Sequence, residues 1–192
     1  MNFDINKPLE FADAEALACW LCAHGVDIAN WGRAQAKSVN DLWQELVLGE
    51  SRLQAAPVMR LVDVTNLLVC QNGYMLRESK QELGNGQVRH RDMPPAEKMR
   101  PGEDALVTAR RCLYEELNLD EQALVTEPLL VQTQTNQLDS PSYPSLPSRF
   151  TIHTVKVHVR GLPTDEFSTL NLAFASGDPV RVHHWRWQKD NV

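Results

Sequence analysis

Basic residues are in short supply in this 192-residue chain: 19 Lys and Arg stand against 25 Asp and Glu, a formal net charge of −6. A surface that grips a polyanion along its length needs the opposite balance, so nucleic acid is excluded as a general partner, and only a local basic patch is left open. Cysteine is scarce too. Four residues are too few to staple a chain of this length, which points to a reducing, cytoplasmic setting. No apolar run approaches the ~20 residues that a membrane-spanning helix requires. The opening residues, MNFDINKPLEFADAEA, carry acids where an export signal carries a basic segment and then an apolar one, so the expectation is a protein neither exported nor inserted in a membrane. Internal repeats are absent as well.

What is present reads as globular: 43% hydrophobic and 23% charged residues, with two kinds of patterning. Up to about Ala56 the chain reads as helical. Residues 11–22 are rich in Ala and Leu, and Leu42, Trp43, Leu46 and Val47 recur at helical spacing, with Ser38 or Asn40 as cap and Gly49 as stop. Past Pro57 the pattern changes to short β-branched stretches broken by Gly, Asn and Pro. Strands are expected over 59–70 and 74–80 around a tight Asn72-Gly73 turn, then over 87–91 after Gly84-Asn85-Gly86, and later over 124–135, 150–160 and 180–187. The expected division is a helical N-terminal extension over 1–57 and an α/β domain over 58–192.

One helix is expected from Asp104 to Leu117. At about 100° per residue, Leu106, Leu113 and Leu117 share a face, with Ala109 at its margin, and that face is expected on the sheet. Arg111, Cys112, Glu115 and Glu116 are then expected on the opposite side. Adjacent carboxylates repel one another, and Arg111 offsets only part of that. Hard divalent cations bind carboxylate oxygens while keeping positions open for phosphate, so Glu103 with Glu115 and Glu116 is a candidate diphosphate site. A solvated acidic helix face is the alternative.

The spacing resembles the Nudix box, G-x5-E-x7-R-E-U-x-E-E-x-G-U, where U is a bulky aliphatic. Glu103 stands at its first Glu, Arg111 follows after seven residues, Leu113 takes the aliphatic place, Glu115 and Glu116 form the double Glu, and Leu119 closes it. Three positions depart: Glu97 replaces the leading Gly, Cys112 the Glu after Arg, and Asn118 the later Gly. The resemblance implies a Nudix-type α/β/α sandwich with a mixed sheet, and a Mg²⁺- or Mn²⁺-dependent hydrolase that cleaves a diphosphate linkage in a nucleoside-diphosphate-type small molecule. Glu103, Glu115 and Glu116 would hold metal, Glu115, Glu116 and Arg111 would form the catalytic set, and Arg111 would orient Glu103 or Glu115. The base is left open among Glu97, Glu127 and Asp139. The rival is a Nudix-fold module that binds a nucleotide or diphosphate without turnover, because Cys112 removes a carboxylate. Nucleic acid enters only as a capped end.

Further candidates surround the box. Arg89 and Arg91 are candidates for phosphate from a strand, against a solvated strand edge. Tyr143, in the proline-rich 140–148 loop, is a candidate for stacking on a base or for packing as a lid. Cys19 and Cys22 have CxxC spacing inside a helical pattern and are expected to be small buried thiols. His183, Trp185 and Trp187 share one strand face, read as core aromatics with a satisfied histidine. Trp20, Trp31 and Trp43 leave a protein partner or a homodimer open.

Overall fold

The computed structural model describes residues 9–33, 36–176 and 178–189. The architecture is α/β with a mixed sheet, as expected. The described residues form two compact units: those within 9–63, 100–102 and 134–152 make the first, and those within 64–99, 103–133 and 153–189 the second.

In the first unit, helix α1 (Ala14–Ala23) is capped by Asp13, whose side chain accepts from Ala16 N at 2.8 Å. Helix α2 (Val39–Val47) starts with a capping box: Ser38 Oγ accepts from Asp41 N, and the Asp41 carboxylate accepts from Ser38 N. Gly49, with φ +72°, follows the end of α2, a backbone conformation that favours glycine. Residues 52–55, expected as helix, form strand β1 (Arg52–Ala55) instead, antiparallel to the start of β2 (Val58–Gln71). Leu53 buries there while Arg52 and Ala55 stay exposed, an alternation too short to register as a period in sequence.

Leu17, Leu21, Trp31, Leu42, Tyr143 and Leu146 build this unit's core. At its centre Glu45, 4% exposed, accepts from Lys37 Nζ at 2.8 Å, Ser51 Oγ at 2.8 Å, Arg60 Nη2 at 2.7 Å and Tyr143 Oη at 3.1 Å. Cys19 and Cys22 are exposed, contrary to expectation. Leu17 and Leu21 point the inner face of α1 to the core, and that leaves the two thiols on the outer one.

The second unit holds the rest of β2, then β3 (Tyr74–Leu83), β4 (Val88–Met93), β5 (Ala96–Lys98), helix α3 (Ala105–Leu117), β8 (Phe167–Leu170) and β9 (Val180–Lys189). Strands β6 (Leu129–Asp139) and β7 (Pro147–His158) run through both units, and the hydrogen-bonded order reads β6-β7-β2-β3-β9-β8, with β4 on β3 and β5 on β2. The β2–β3 turn puts Asn72 at φ 52° and Gly73 at φ 79°, the two positive values that a two-residue hairpin of matching twist needs. A bulge between Glu78 and Lys80 shifts the register of β3. Because of it Leu76 and Glu78 on one side of the bulge, and Gln81 and Leu83 on the other, all turn inward. Helix α3 is capped by Asp104, which accepts from Leu106 N and Val107 N at 2.9 Å each, a cap worth about 1 kcal/mol. It ends at Asn118 in the left-handed conformation, φ 56°.

Candidate active site

The buried face of α3 differs from the one expected. Ala105, Thr108, Ala109, Cys112, Leu113, Glu116 and Leu117 are buried, whereas Leu106 is only partly so. Small side chains at Ala105, Ala109 and Cys112 let the helix lie close against Leu67, Val69, Leu76, Val155, Val157 and Trp185. The leucines alone place the face wrongly by about one position, so Cys112 and Glu116 move from the solvent side to the sheet side. Cys112 is 0% exposed and Glu116 8%. Arg111 and Glu115 keep a side chain at the rim, 12% and 16% exposed.

Arg111 gathers the acids. Its Nε donates to Glu103 Oε1 at 2.8 Å and its Nη2 to Glu103 Oε2 at 2.9 Å, a fork that fits a carboxylate edge. Nη1 donates to Glu115 Oε2 at 3.2 Å and lies 3.4 Å from Glu97 Oε2, while Nη2 also donates to the Lys98 carbonyl at 2.7 Å. Thr108 Oγ1 donates to Glu103 Oε2 at 3.0 Å. Burial on its own lowers the guanidinium pKa, but the hydrogen bond to Glu103 and the charges of Glu97, Glu103 and Glu115 outweigh it and hold Arg111 above its ordinary value. Arg111 is therefore a fixed cation.

Glu116 sits on the other flank. Burial pushes its pKa well up, Glu97, Glu78 and Asp178 push it further, and Arg91 alone of the main influences opposes them. Burial also pushes the Cys112 thiol well above its usual range, and Glu116 and Glu97 add to that. A thiol kept protonated in this way is neither nucleophile nor metal ligand. The carboxylate oxygens of Glu97, Glu103, Glu115 and Glu116 are the donor type that a hard divalent cation prefers, and a buried, mutually repelling set is what such a cation relieves. In kind, the residues fit the metal. Among the described residues no three His, Cys, Asp or Glu side chains are already set as a cage, so Glu103 and Glu115 would have to share their oxygens between Arg111 and the ion.

No family model matches the chain, and none of the curated proteins does. Solved Nudix hydrolases resemble it in structure. A MutT protein from Bacillus halodurans is 20% identical over 67% of this chain and 68% of its own, with a TM-score of 0.39. An Ap4A hydrolase from C. elegans is 17% identical over 67% and 80%, with a TM-score of 0.35. A NUDIX hydrolase from Nitrosomonas europaea is 16% identical over 54% and 62%, with a TM-score of 0.36. Identities and TM-scores this low carry no chemistry from those proteins to this one.

Of the other candidates, Arg91 lies at the edge of the carboxylate cluster: its Nε is 2.9 Å from Glu78 Oε2 and its side chain 27% exposed. Arg89 is exposed and pairs across the ladder with Gln81. Tyr143 belongs to the core of the first unit and has no face to offer a base. It is 0% exposed, its ring lies 4.9 Å from the Arg60 guanidinium carbon, and burial, then Glu45, keeps its phenol protonated. Among the open bases, Glu97 is beside Arg111, Glu127 is exposed and paired with Arg110, and Asp139 is an exposed residue of the first unit. A shallow apolar cleft of about 240 Å³ is lined by Leu113, Tyr114, Leu119 and Leu124 on the outer side of α3, and none of the clustered carboxylates lines it. Sequence reasoning missed Glu78, a buried carboxylate that the bulge in β3 turns inward.

Proposed function

We propose that this chain hydrolyses a diphosphate linkage in a nucleoside-diphosphate-type small molecule, as a cytoplasmic enzyme using Mg²⁺ or Mn²⁺. The observation that supports this is the gathering of Glu97, Glu103 and Glu115 on a single arginine, with buried Glu116 raised by neighbouring carboxylates. So much negative charge calls for a cation, and the box spacing matches chemistry on linked phosphates. Glu103, Glu115 and Glu116 would hold the ion, which when bound neutralises phosphate charge and acidifies a water. Arg111 keeps Glu103 and Glu115 oriented. Arg91, which the Glu78 carboxylate holds in place, and Arg89 would meet phosphate oxygens as they approach. The test is phosphate release from nucleotide sugars, dinucleotides, nucleoside triphosphates and capped RNA in Mg²⁺ and in Mn²⁺. Turnover of at least one, lost in Glu115→Gln and Glu116→Gln variants, is expected.

One observation favours a second reading, a binding module without turnover: Cys112 places a neutral, buried thiol where the box has a carboxylate. Calorimetric binding across the same panel with no release would establish the module and dismiss the enzyme.

A further inference from the structure

Beneath Glu116, on the sheet side of α3, is a buried polar cluster that the box does not include. Glu78, Gln81 and His183 are 3%, 5% and 2% exposed. Gln81 of β3 and Thr169 of β8 both stand opposite His183 of β9 in their ladders, so the three side chains share a face. Glu78 is the hub: its Oε1 lies 2.5 Å from His183 Nδ1, and its Oε2 accepts from Gln81 Nε2 at 3.0 Å and from Arg91 Nε at 2.9 Å. Thr169 Oγ1 donates to the Glu116 carbonyl and accepts from Trp185 Nε1 at 2.7 Å, which sets His183 one side chain away from the Glu116 backbone.

Three buried side-chain atoms have no hydrogen-bond partner among the described residues: Thr65 Oγ1, Gln81 Oε1 and His183 Nε2. Gln81 and His183 are those cross-strand neighbours, and Thr65 pairs with Glu97 in the β2–β5 ladder. Natural proteins satisfy buried polar atoms, so orphans that recur around one site mark a place where something else is bound or transferred. With Nδ1 donating to the Glu78 carboxylate, the neutral imidazole presents its lone pair at Nε2. A histidine retained only for packing would leave that nitrogen buried and unpaired, at a cost its stacking on Trp185 does not offset.

We propose that His183 Nε2, oriented by Glu78, accepts the proton of the attacking water in the diphosphate hydrolysis described above, and the inference rests on that reading. The water oxygen bonds to phosphorus as its proton passes to the Nε2 lone pair. The bond from phosphorus to the bridging oxygen breaks, and its electron pair leaves with the departing phosphate. The imidazolium so formed faces the Glu78 carboxylate, which stabilises it. Of the charged groups around the dyad, Arg91 of β4 contacts Glu78, and Glu116 of α3 feels the charge of Glu78 together with those of Glu97, Asp178 and Arg91.

His183→Asn is the decisive variant, because its amide nitrogen takes the place of Nδ1 and keeps the bond to Glu78 while removing Nε2. Its kcat is expected to fall by about 10²–10⁴-fold, the usual contribution of a general base, with KM near wild type. The dependence of kcat on pH should change shape in this variant. Glu78→Gln should lower kcat less. Should His183→Asn fail to fold, His183→Gln is held to the same two readouts. An unchanged kcat, or a lowered kcat with the wild-type pH profile, overturns the proposal. Wild-type protein that releases no phosphate from any diphosphate tested overturns the hydrolase reading and this one together, whereas an active wild type with an equally active His183→Asn overturns this one alone.

Discussion

Replacing Cys112 by Glu places a carboxylate at a position where the structure leaves no room for it. The thiol is 0% exposed among Leu67, Val69, Ala109 and Leu113, and its near neighbours include Glu116 and Glu97. Three more heavy atoms in a packed core cost about 1–3 kcal/mol, and a further carboxylate beside buried ones adds a penalty of a few kcal/mol, about 3–5 kcal/mol together in metal-free protein. For a chain of this size about 2–4 °C of melting temperature follows each kcal/mol, so Cys112→Glu in EDTA should melt roughly 6–20 °C below wild type.

A divalent cation at a hundred times its Kd returns about 2.7 kcal/mol, or roughly 5–11 °C. Wild type, with one carboxylate fewer, should gain less. Cys112→Gln supplies the control, since it crowds the core equally but adds no charge. It should lose only the packing share of that stability, about 1–3 kcal/mol, and show no enhanced response to Mg²⁺ or Mn²⁺. Thermal unfolding followed by fluorescence, with phosphate release measured on the same samples, reads both quantities. If Cys112→Glu melts with wild type in EDTA, the packing argument fails. If its gain from Mg²⁺ is no larger than that of Cys112→Gln, this face of α3 does not hold a cation.

Arg111→Met should lose about 2–4 kcal/mol in urea unfolding, because Glu97, Glu103 and Glu115 lose their shared cation at 15–17% exposure, short of full burial. Arg111→Lys keeps the charge but not the fork to Glu103 and should fall between; equal stability of all three proteins would show the cluster carries none. Glu45→Ala strands Arg60, 3% exposed, and should cost about 3–5 kcal/mol, while the double Glu45→Met, Arg60→Met should cost less than the single change. A double variant worse than the single one would refute that account. In chelator, wild-type stability should decline as pH rises from about 4.5, the usual value of Glu116. Its folded pKa lies above its unfolded one, so the folded chain holds more protons and the contribution is lost as pH climbs through the folded value. Glu116→Gln removes that slope, and an equally steep decline in the variant would count against the buried acid.

Strong local signals carried the sequence a long way. Asp104 and Asn118 mark both ends of α3 by their side-chain chemistry, and Asn72-Gly73 marks the β2–β3 turn by the backbone it tolerates. Strands β1, β5 and β8, of three or four residues, are too short to show a period, so they were invisible. The face of α3 was misjudged for a different reason. Its leucines were read as the contact surface, whereas close packing selects small residues, Ala105, Ala109 and Cys112, and brings Glu116 down with them. Tyr143 misled in the opposite direction, since a loop tyrosine between prolines gives no sign that its ring fills a core around Glu45 and Arg60.

The displacement of Glu116 changes the chemistry available to the site. On the solvent side of α3 it would be one more screened carboxylate beside Glu115, and a cation there would compete with water on nearly equal terms. On the sheet side burial raises its pKa and the charges of Glu97 and Glu78 add to that, while the helix rim keeps Arg111 bound to Glu103 and Glu115, with Glu97 beside it. The acids are thereby sorted into a set gathered on Arg111 at the rim and a buried pair, Glu116 and Glu78, beneath it, the second adjoining an imidazole whose Nε2 has no partner among the described residues. A ligand that brings positive charge or hydrogen-bond donors gains most from the second set. In the reaction proposed above, Glu116 and His183 therefore join Glu115 as the positions where substitution should lower kcat.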